Sequence, residues 1–419
     1  MKKLLGVLLA IAMTWPAGAS ILNNVEVKGE IQTIASDVRS GTEKYNSGMG
    51  TLREKSIYNR GAWTRAMAGL SADLVEDVTA NILFQYAYKW GENNEGNLGF
   101  SNGNGVKMVN ANVVLSNLFG ALETTIGRQF YGDENSAVMY FGPNHYNAER
   151  GMYASALDAV KLVYRNETIV ATVLAGKIAN LASLDWDFED TDPSSIFGAD
   201  VKLNLTENLI AQVYGYGWRN VGNWSDYYNK FLEDAYAGLY GAKLTFAPET
   251  FLLSAEYARN HAGSRLIKEH KRAGYMLKVD GAVKATDALT VRGTFHYETL
   301  DSLNFGNYTP GLLIGHYLRE RLNEYSSDGL RLFNIGVDYK PAERWTVSLD
   351  GYSFQDRFGR HSATYETDVT AKYDHNEYVQ LFAGIGYAKY SHGENYYSSH
   401  FNTVGKDNVK GQLGMLIKF

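Results

Sequence analysis

Polar and apolar residues alternate along this chain with a period of two, almost from end to end. The stretch VEVKGEIQT sets Val25, Val27, Gly29 and Ile31 against Glu26, Lys28, Glu30 and Gln32. VTANILFQYAYK sets Val78, Ala80, Ile82, Phe84, Tyr86 and Tyr88 against Thr79, Asn81, Gln85 and Lys89. The pattern returns in LTVRGTFHYE (289–298), FNIGVDYK (333–340), YETDVTAKY (365–373) and VKGQLGMLIKF (409–419). A period of two is that of a β-strand with two unlike faces. Each run is close to the ~9–11 residues of a strand that crosses a membrane at a tilt.

The connections between these runs also take turns. Short ones lie at 75–77, 166–167, 206–208, 247–250, 340–344 and 374–377. Long polar ones lie at 39–56, 90–105, 130–156, 178–195, 219–234, 259–271, 299–329, 355–362 and 389–407. This rhythm predicts an all-β fold: a single transmembrane β-barrel of about 18 antiparallel strands, with short periplasmic turns and long extracellular loops. Segments 106–116 and 168–177 alternate weakly and are the least secure of the strands. No linker or shift of composition divides the chain, so residues 20–419 are expected to form one domain. Strands in lipid must also close on themselves to leave no unpaired edge.

A soluble sandwich or propeller would alternate too. The polar face here, however, is rich in charges that a packed core would not tolerate. Tyr and Trp gather near strand ends, at Tyr88, Trp90, Tyr297, Tyr339, Trp345, Tyr373, Tyr378 and Tyr387, as aromatic girdles do at a membrane interface. The 30 tyrosines and the mean hydropathy of −0.29 fit a barrel better than a helical membrane protein. Beyond the leader there is no run of ~18 apolar residues from which to build a spanning helix.

The leader itself is residues 1–19. Lys2 and Lys3 precede an apolar run from Leu4 to Ala12, and Ala17-Gly18-Ala19 forms a small-residue cleavage site, as in a secretory signal peptide. The expected location is therefore the bacterial outer membrane, with its lipid as a partner. The chain stops on an aromatic residue, and Phe419 is expected to be read by the barrel assembly machinery. The formal charge of −6 and the absence of basic tracts argue against nucleic acid as a partner. There is no cysteine, hence no disulfide framework and no thiolate metal site.

The chemistry of a barrel lies in its lumen. The alternation places Lys28, Arg65, Arg128, Lys161, Lys202, Lys243, Lys278, Arg292, Lys372 and Lys410 on the inward face. It also places Glu26, Glu30, Asp200, Glu256, Asp280, Glu298, Asp338, Asp350, Glu366 and Asp368 there. About 18 strands make a cylinder wide enough for water, and wall charges then bias which solutes pass. The other reading of the same residues is that opposite charges on adjacent strands pair and hold the wall. Small hydrophilic solutes or oligosaccharides are the expected cargo. The alternative is a surface adhesin or structural barrel without significant conductance. No HExxH, GxSxG or P-loop motif is present, so neither an enzyme nor a cofactor is expected.

One region is more specific. A strand ends in Gly127-Arg128-Gln129, a loop carries Gly132-Asp133-Glu134, and the next strand reads Leu157-Asp158-Ala159-Val160-Lys161-Leu162. This resembles the alginate-export family of outer-membrane barrels. The resemblance implies an 18-stranded monomeric channel rather than a trimer, with Arg128 and Lys161 pointing into the lumen. Lys161 stands where that family has arginine, and lysine lacks the bidentate fork for a carboxylate. Three loop features remain. Asp185, Asp187, Glu189, Asp190 and Asp192 could hold Ca²⁺ or form a solvated acidic loop. Residues 259–272 are basic and could fold over the mouth. Residues 316–325 could form a short helix that constricts or caps the longest loop.

Overall fold

The computed structural model describes residues 23–46, 52–91, 106–145, 154–179, 195–219, 236–262, 274–299, 310–313, 330–356, 364–389 and 407–419. The expected leader at 1–19, the acidic stretch at 185–192, most of 259–272 and all of 316–325 lie outside them. The strands in chain order are β1 (Asn23–Asn46), β2 (Leu52–Val75), β3 (Val78–Lys89), β4 (Lys107–Leu118), β5 (Leu122–Gln129), β6 (Tyr131–Gly132) and β7 (Tyr140–Phe141). They continue with β8 (Ala156–Arg165), β9 (Ile169–Ala179), β10 (Ser195–Thr206), β11 (Leu209–Arg219), β12 (Tyr236–Phe246), β13 (Phe251–Ala262) and β14 (Tyr275–Lys284). The last six are β15 (Leu289–Glu298), β16 (Leu330–Tyr339), β17 (Trp345–Asp356), β18 (Thr364–Asp374), β19 (Val379–Lys389) and β20 (Asp407–Lys418).

All but β6 and β7 join one 18-stranded antiparallel sheet, each strand paired with its neighbours in sequence. The two weakly alternating segments are strands β4 and β9. The sheet closes where β20 pairs with β1, from Glu30 opposite Lys418 to Ser40 opposite Asn408. Closure leaves no edge of unpaired N–H and C=O groups facing lipid. The seam is completed by Phe419. Its N–H donates to Gly29 O at 3.0 Å, and Gly29 N–H donates to Phe419 O at 2.7 Å. A Cβ on residue 29 would lie 2.7 Å from the Phe419 ring, so only glycine leaves that ring its seat.

The outer surface of the sheet carries an apolar band. Across four adjacent strands Val337, Leu349, Val369 and Ile385 stand opposite one another in register, and Leu349 and Ile385 are more than half exposed. In water such a band would be unfavourable by ~25 cal/mol per Å² of apolar surface; in a bilayer it is solvated. Aromatic side chains flank the band. Trp345 and Tyr373 stack at 4.8 Å near the short turns, and Tyr275 and Tyr297 pack at 5.3 Å near the long connections. The molecule is thus a transmembrane β-barrel. No helix among the described residues is long and apolar enough to cross a membrane; the strands do the crossing.

Candidate functional site

The interior is narrowed by a segment of chain that the sequence pattern assigned to an outer loop. Residues 130–145 leave the end of β5 and fold inward. The segment is stapled to itself. Gly132 takes a positive φ of 88° at the start of a turn, and β6 pairs with β7. The Asp133 carboxylate accepts from Asn135 N–H at 2.8 Å, and Ser136 Oγ accepts from the N–H groups of Val138 and Met139 at 3.1 Å. The run Ala137, Val138, Met139 and Phe141 is buried against Leu157, Leu174, Ile196, Tyr214, Tyr216 and Met276 on the wall. Tyr131 and Tyr216 share a hydroxyl–hydroxyl hydrogen bond of 2.8 Å.

The other side of the segment is held by charge. Arg65, fully buried, donates from Nη2 to Glu30 Oε1 at 2.7 Å and from Nη1 to Asn144 O at 2.9 Å. His145 bridges two carboxylates, with Nε2 3.1 Å from Glu30 Oε2 and Nδ1 2.8 Å from Glu134 Oε2. Both ring nitrogens therefore donate, which defines the imidazolium. Burial opposes that charge, but the hydrogen bonds to Glu134 and Glu30 outweigh it and hold the His145 pKa above the usual histidine value. A group with a raised folded pKa stabilises the fold fully below its unfolded pKa, ~6.5, and loses that contribution as pH rises through the folded value. Current fluctuations in planar bilayers should accordingly grow as pH is raised above ~6.5, and His145→Gln should remove the dependence.

Among the described residues, two water-accessible spaces border the segment. The larger, about 1140 Å³, lies between residues 130–139 and the wall from β5 to β14. The smaller, about 440 Å³, lies between Glu134, Asn144 and His145 and the wall from β15 to β20. Both far exceed the ~10–15 Å³ that holds one water. A second inward piece, Pro310–Leu313, borders the smaller space. Wall carboxylates pin it: Asp368 accepts from Leu312 N–H at 2.8 Å, and Glu366 from Leu313 N–H at 2.7 Å. Lys410 donates to Leu312 O at 3.0 Å. Gly311 has φ of +79°, and a Cβ there would sit 2.8 Å from the Glu366 carboxylate.

The residues expected to line the lumen fall into distinct groups. Lys161, Lys202, Lys243, Glu256 and Lys278 border the larger space. Register places Lys202, Gln212, Lys243, Glu256, Lys278 and His296 in one row across adjacent strands, and Arg165 joins it through Val170. Cations so occupy alternate strands, β8, β10, β12 and β14, about 9.6 Å apart for two strand spacings of ~4.8 Å. Lys161, Lys202 and Lys243 form no ion pair among the described residues.

Arg292 is committed to the wall. It donates from Nε to Asp338 at 3.0 Å and from Nη2 to Asp350 at 2.7 Å. It lies across Gly336, where a Cβ would come within 2.9 Å of the guanidinium. Asp350 and Asp368 stand directly opposite each other, and the pinned turn, Arg292 and Lys410 offset their repulsion. Lys28 pairs with Glu26 at 2.9 Å on the inward parity near the short turns, where both side chains are more than half exposed.

Arg128 is a correction. It stands opposite Asp158, which it binds with both Nε and Nη2, at 2.7 and 2.8 Å. Its parity is that of Ile126 and, across the register, Val160, both exposed on the outer surface. Arg128 therefore faces outward, and Gln129, buried, is the inward residue. The alternation and the family resemblance both point it into the lumen; the register, with Ile126 two residues earlier on the same face, places it outside. Tyr131, Tyr216, Glu134 and His145 were missed as site residues. The apolar run AVMYF inside a polar connection was the available signal, because such a run needs cover.

A closed 18-stranded barrel with a hydrated lumen and chain folded into it is a porin-type barrel. No known protein family and no curated protein sequence matches the chain. Solved structures do. OccK9 (OpdG) of Pseudomonas aeruginosa superposes with a TM-score of 0.60 at 11% identity, over 94% of this chain and 99% of that one. OccAB4 of Acinetobacter baumannii gives 0.59 at 12% identity, over 94% and 98%. OccD3 (OpdP) of Pseudomonas aeruginosa gives 0.59 at 11%, over 96% and 93%. At these identities the likeness is one of fold.

Proposed function

We propose that the chain is an outer-membrane channel that passes small hydrophilic solutes, with anions favoured along one wall. The observation that carries this reading is the row Arg165, Lys202 and Lys243 on alternate strands facing the larger space; beyond Glu256 the row's cations end at Lys278, which pairs with Asp280 at 3.2 Å. An anion moving beside it meets a new cation before it has left the last, and low-dielectric walls strengthen each contact. Strands in a barrel are tilted, so a row across them also climbs along the axis. The finer resemblance, to alginate export, enters only through Lys161; Arg128 cannot serve a polyuronate from outside the lumen.

Reversal potentials in planar bilayers test the reading. Lys202→Glu and Lys243→Glu should each shift the channel toward cations, more at low salt, because fixed charges are screened over ~10 Å at 0.1 M. Arg128→Glu should leave the reversal potential at the wild-type value, since that side chain is outside. Purified wild type without conductance would instead support a structural or adhesive barrel. Folded lysine variants with wild-type reversal potentials would remove the row from the conducting path.

A further inference from the structure

The outward face of the barrel differs at its two ends. In the half nearer the short turns, outward strand positions are apolar or aromatic, as at Val27, Leu205, Leu253, Val283, Tyr339 and Trp345, and carry no Asp, Glu, Lys or Arg among the described residues. In the half nearer the long connections, charges appear on that face and most are basic. Arg39 and Arg60 share the single carboxylate of Asp37, at 3.1 and 2.9 Å. Arg128 holds Asp158, and Lys177 stands opposite Asp158 on the next strand. On the far arc Arg259, Arg331 and Lys389 share the outward parity; Arg331 donates to Gln355 Oε1, and Lys389 stands opposite Asp407 on the next strand.

Three of these cations are set among aromatic rings. Arg259 lies in register between Tyr240 and Tyr275, Arg331 opposite Tyr297, and Lys389 opposite Tyr365. Lys177, Arg259 and Lys389 form no ion pair among the described residues. A basic side chain within hydrocarbon is costly. Cations spaced around an outward rim, beside interfacial tyrosines, therefore mark the headgroup level of one leaflet. The opposite rim has the tyrosines without the cations, so the asymmetry is not a general feature of the girdles.

We propose that this rim docks the phosphate groups of anionic lipid in the leaflet at the long-connection end. Arg forks and Lys ammonium groups both suit phosphate oxygens. The surface lies outside the lumen, so it stands whether or not the barrel conducts.

Native mass spectrometry of the full-length purified protein, offered equal amounts of phosphatidylglycerol and phosphatidylcholine, tests it. Wild type should retain the anionic lipid preferentially. The triple variant Lys177→Gln, Arg259→Gln, Lys389→Gln should lose about tenfold of that preference, while Lys243→Gln, inside the lumen, should keep it. Inorganic phosphate at equal concentration should not displace the lipid; if it does, the site is one for free phosphate and the proposal fails. A triple variant that retains the wild-type preference overturns it, as does a wild type that binds both lipids equally. Should the triple variant not fold, Arg259→Gln alone and a salt series on wild type decide, and a preference indifferent to salt counts against the proposal.

Discussion

Replacing Arg65 with methionine is expected to destabilise the barrel interior by about 3–5 kcal/mol and to raise single-channel conductance at the same time. The cost is that of a buried ion pair broken from one side. Glu30 would keep only His145 as a cationic partner, and Asn144 O would lose its donor. The residue is fully buried, so water would not easily restore the missing bonds. The rise in conductance follows because Arg65 and His145 are what fasten one side of the folded-in segment to β1 and β2. The two effects are read separately, by the denaturant midpoint of unfolding and by single-channel recording. A variant with wild-type midpoint and conductance would show that the apolar side of the segment suffices to hold it.

Excising residues 132–141, with two glycines joining Tyr131 to Gly142, is expected to leave the barrel intact and to change its permeability most. Tyr131 and Phe141 are paired across the small hairpin, ~4.5–5.5 Å apart, and Gly142 is the next residue, so two glycines can span Tyr131 to Gly142. None of the 18 barrel strands pairs with the excised stretch. The larger and smaller spaces would then merge. Conductance should rise severalfold, and the reversal potential should move toward that of a non-selective pore, because ions could pass beyond the reach of the lysine row. The excision would uncover Leu174, Ile196 and Tyr216 to water, so a modest loss of stability should accompany it. Wild-type conductance in the folded variant would mean that the segment does not restrict the path.

The strands were legible because lipid imposes a rule that local sequence can express. An outward position within the hydrocarbon must be apolar, so a period of two marks most strands; it weakens in β4 and β9, where Val109 and Leu174 put apolar side chains on the inward face as well. The same rule fixed the facing of Lys243, Glu256 and Asp350, each flanked by apolar neighbours. It failed at Arg128, where Thr124, Thr125 and Gly127 blur the contrast between faces, the resemblance points inward, and Ile126 alone marks the outward parity. The folded-in segment was hidden for a different reason. Its cover comes from Leu174, Tyr216 and Met276, and its fastening from Glu30 and Arg65, residues 115 and 80 positions away from His145. A segment's own composition says that it needs burial; it does not say which wall supplies it.

The seam between β1 and β20 has a consequence for how the barrel forms. Ile31 meets Ile417 across it, whereas most strands in the sheet pair with a neighbour one turn or loop away. Contacts this distant in sequence close the largest loop available and so form slowly. Until then the nascent sheet carries two open edges of the kind that aggregate. The Phe419 ring over Gly29 is made only by the finished seam. A side chain at position 29 would meet Met67 O as well as the Phe419 ring, so it should both strain the finished seam and lengthen the time for which both edges stay open.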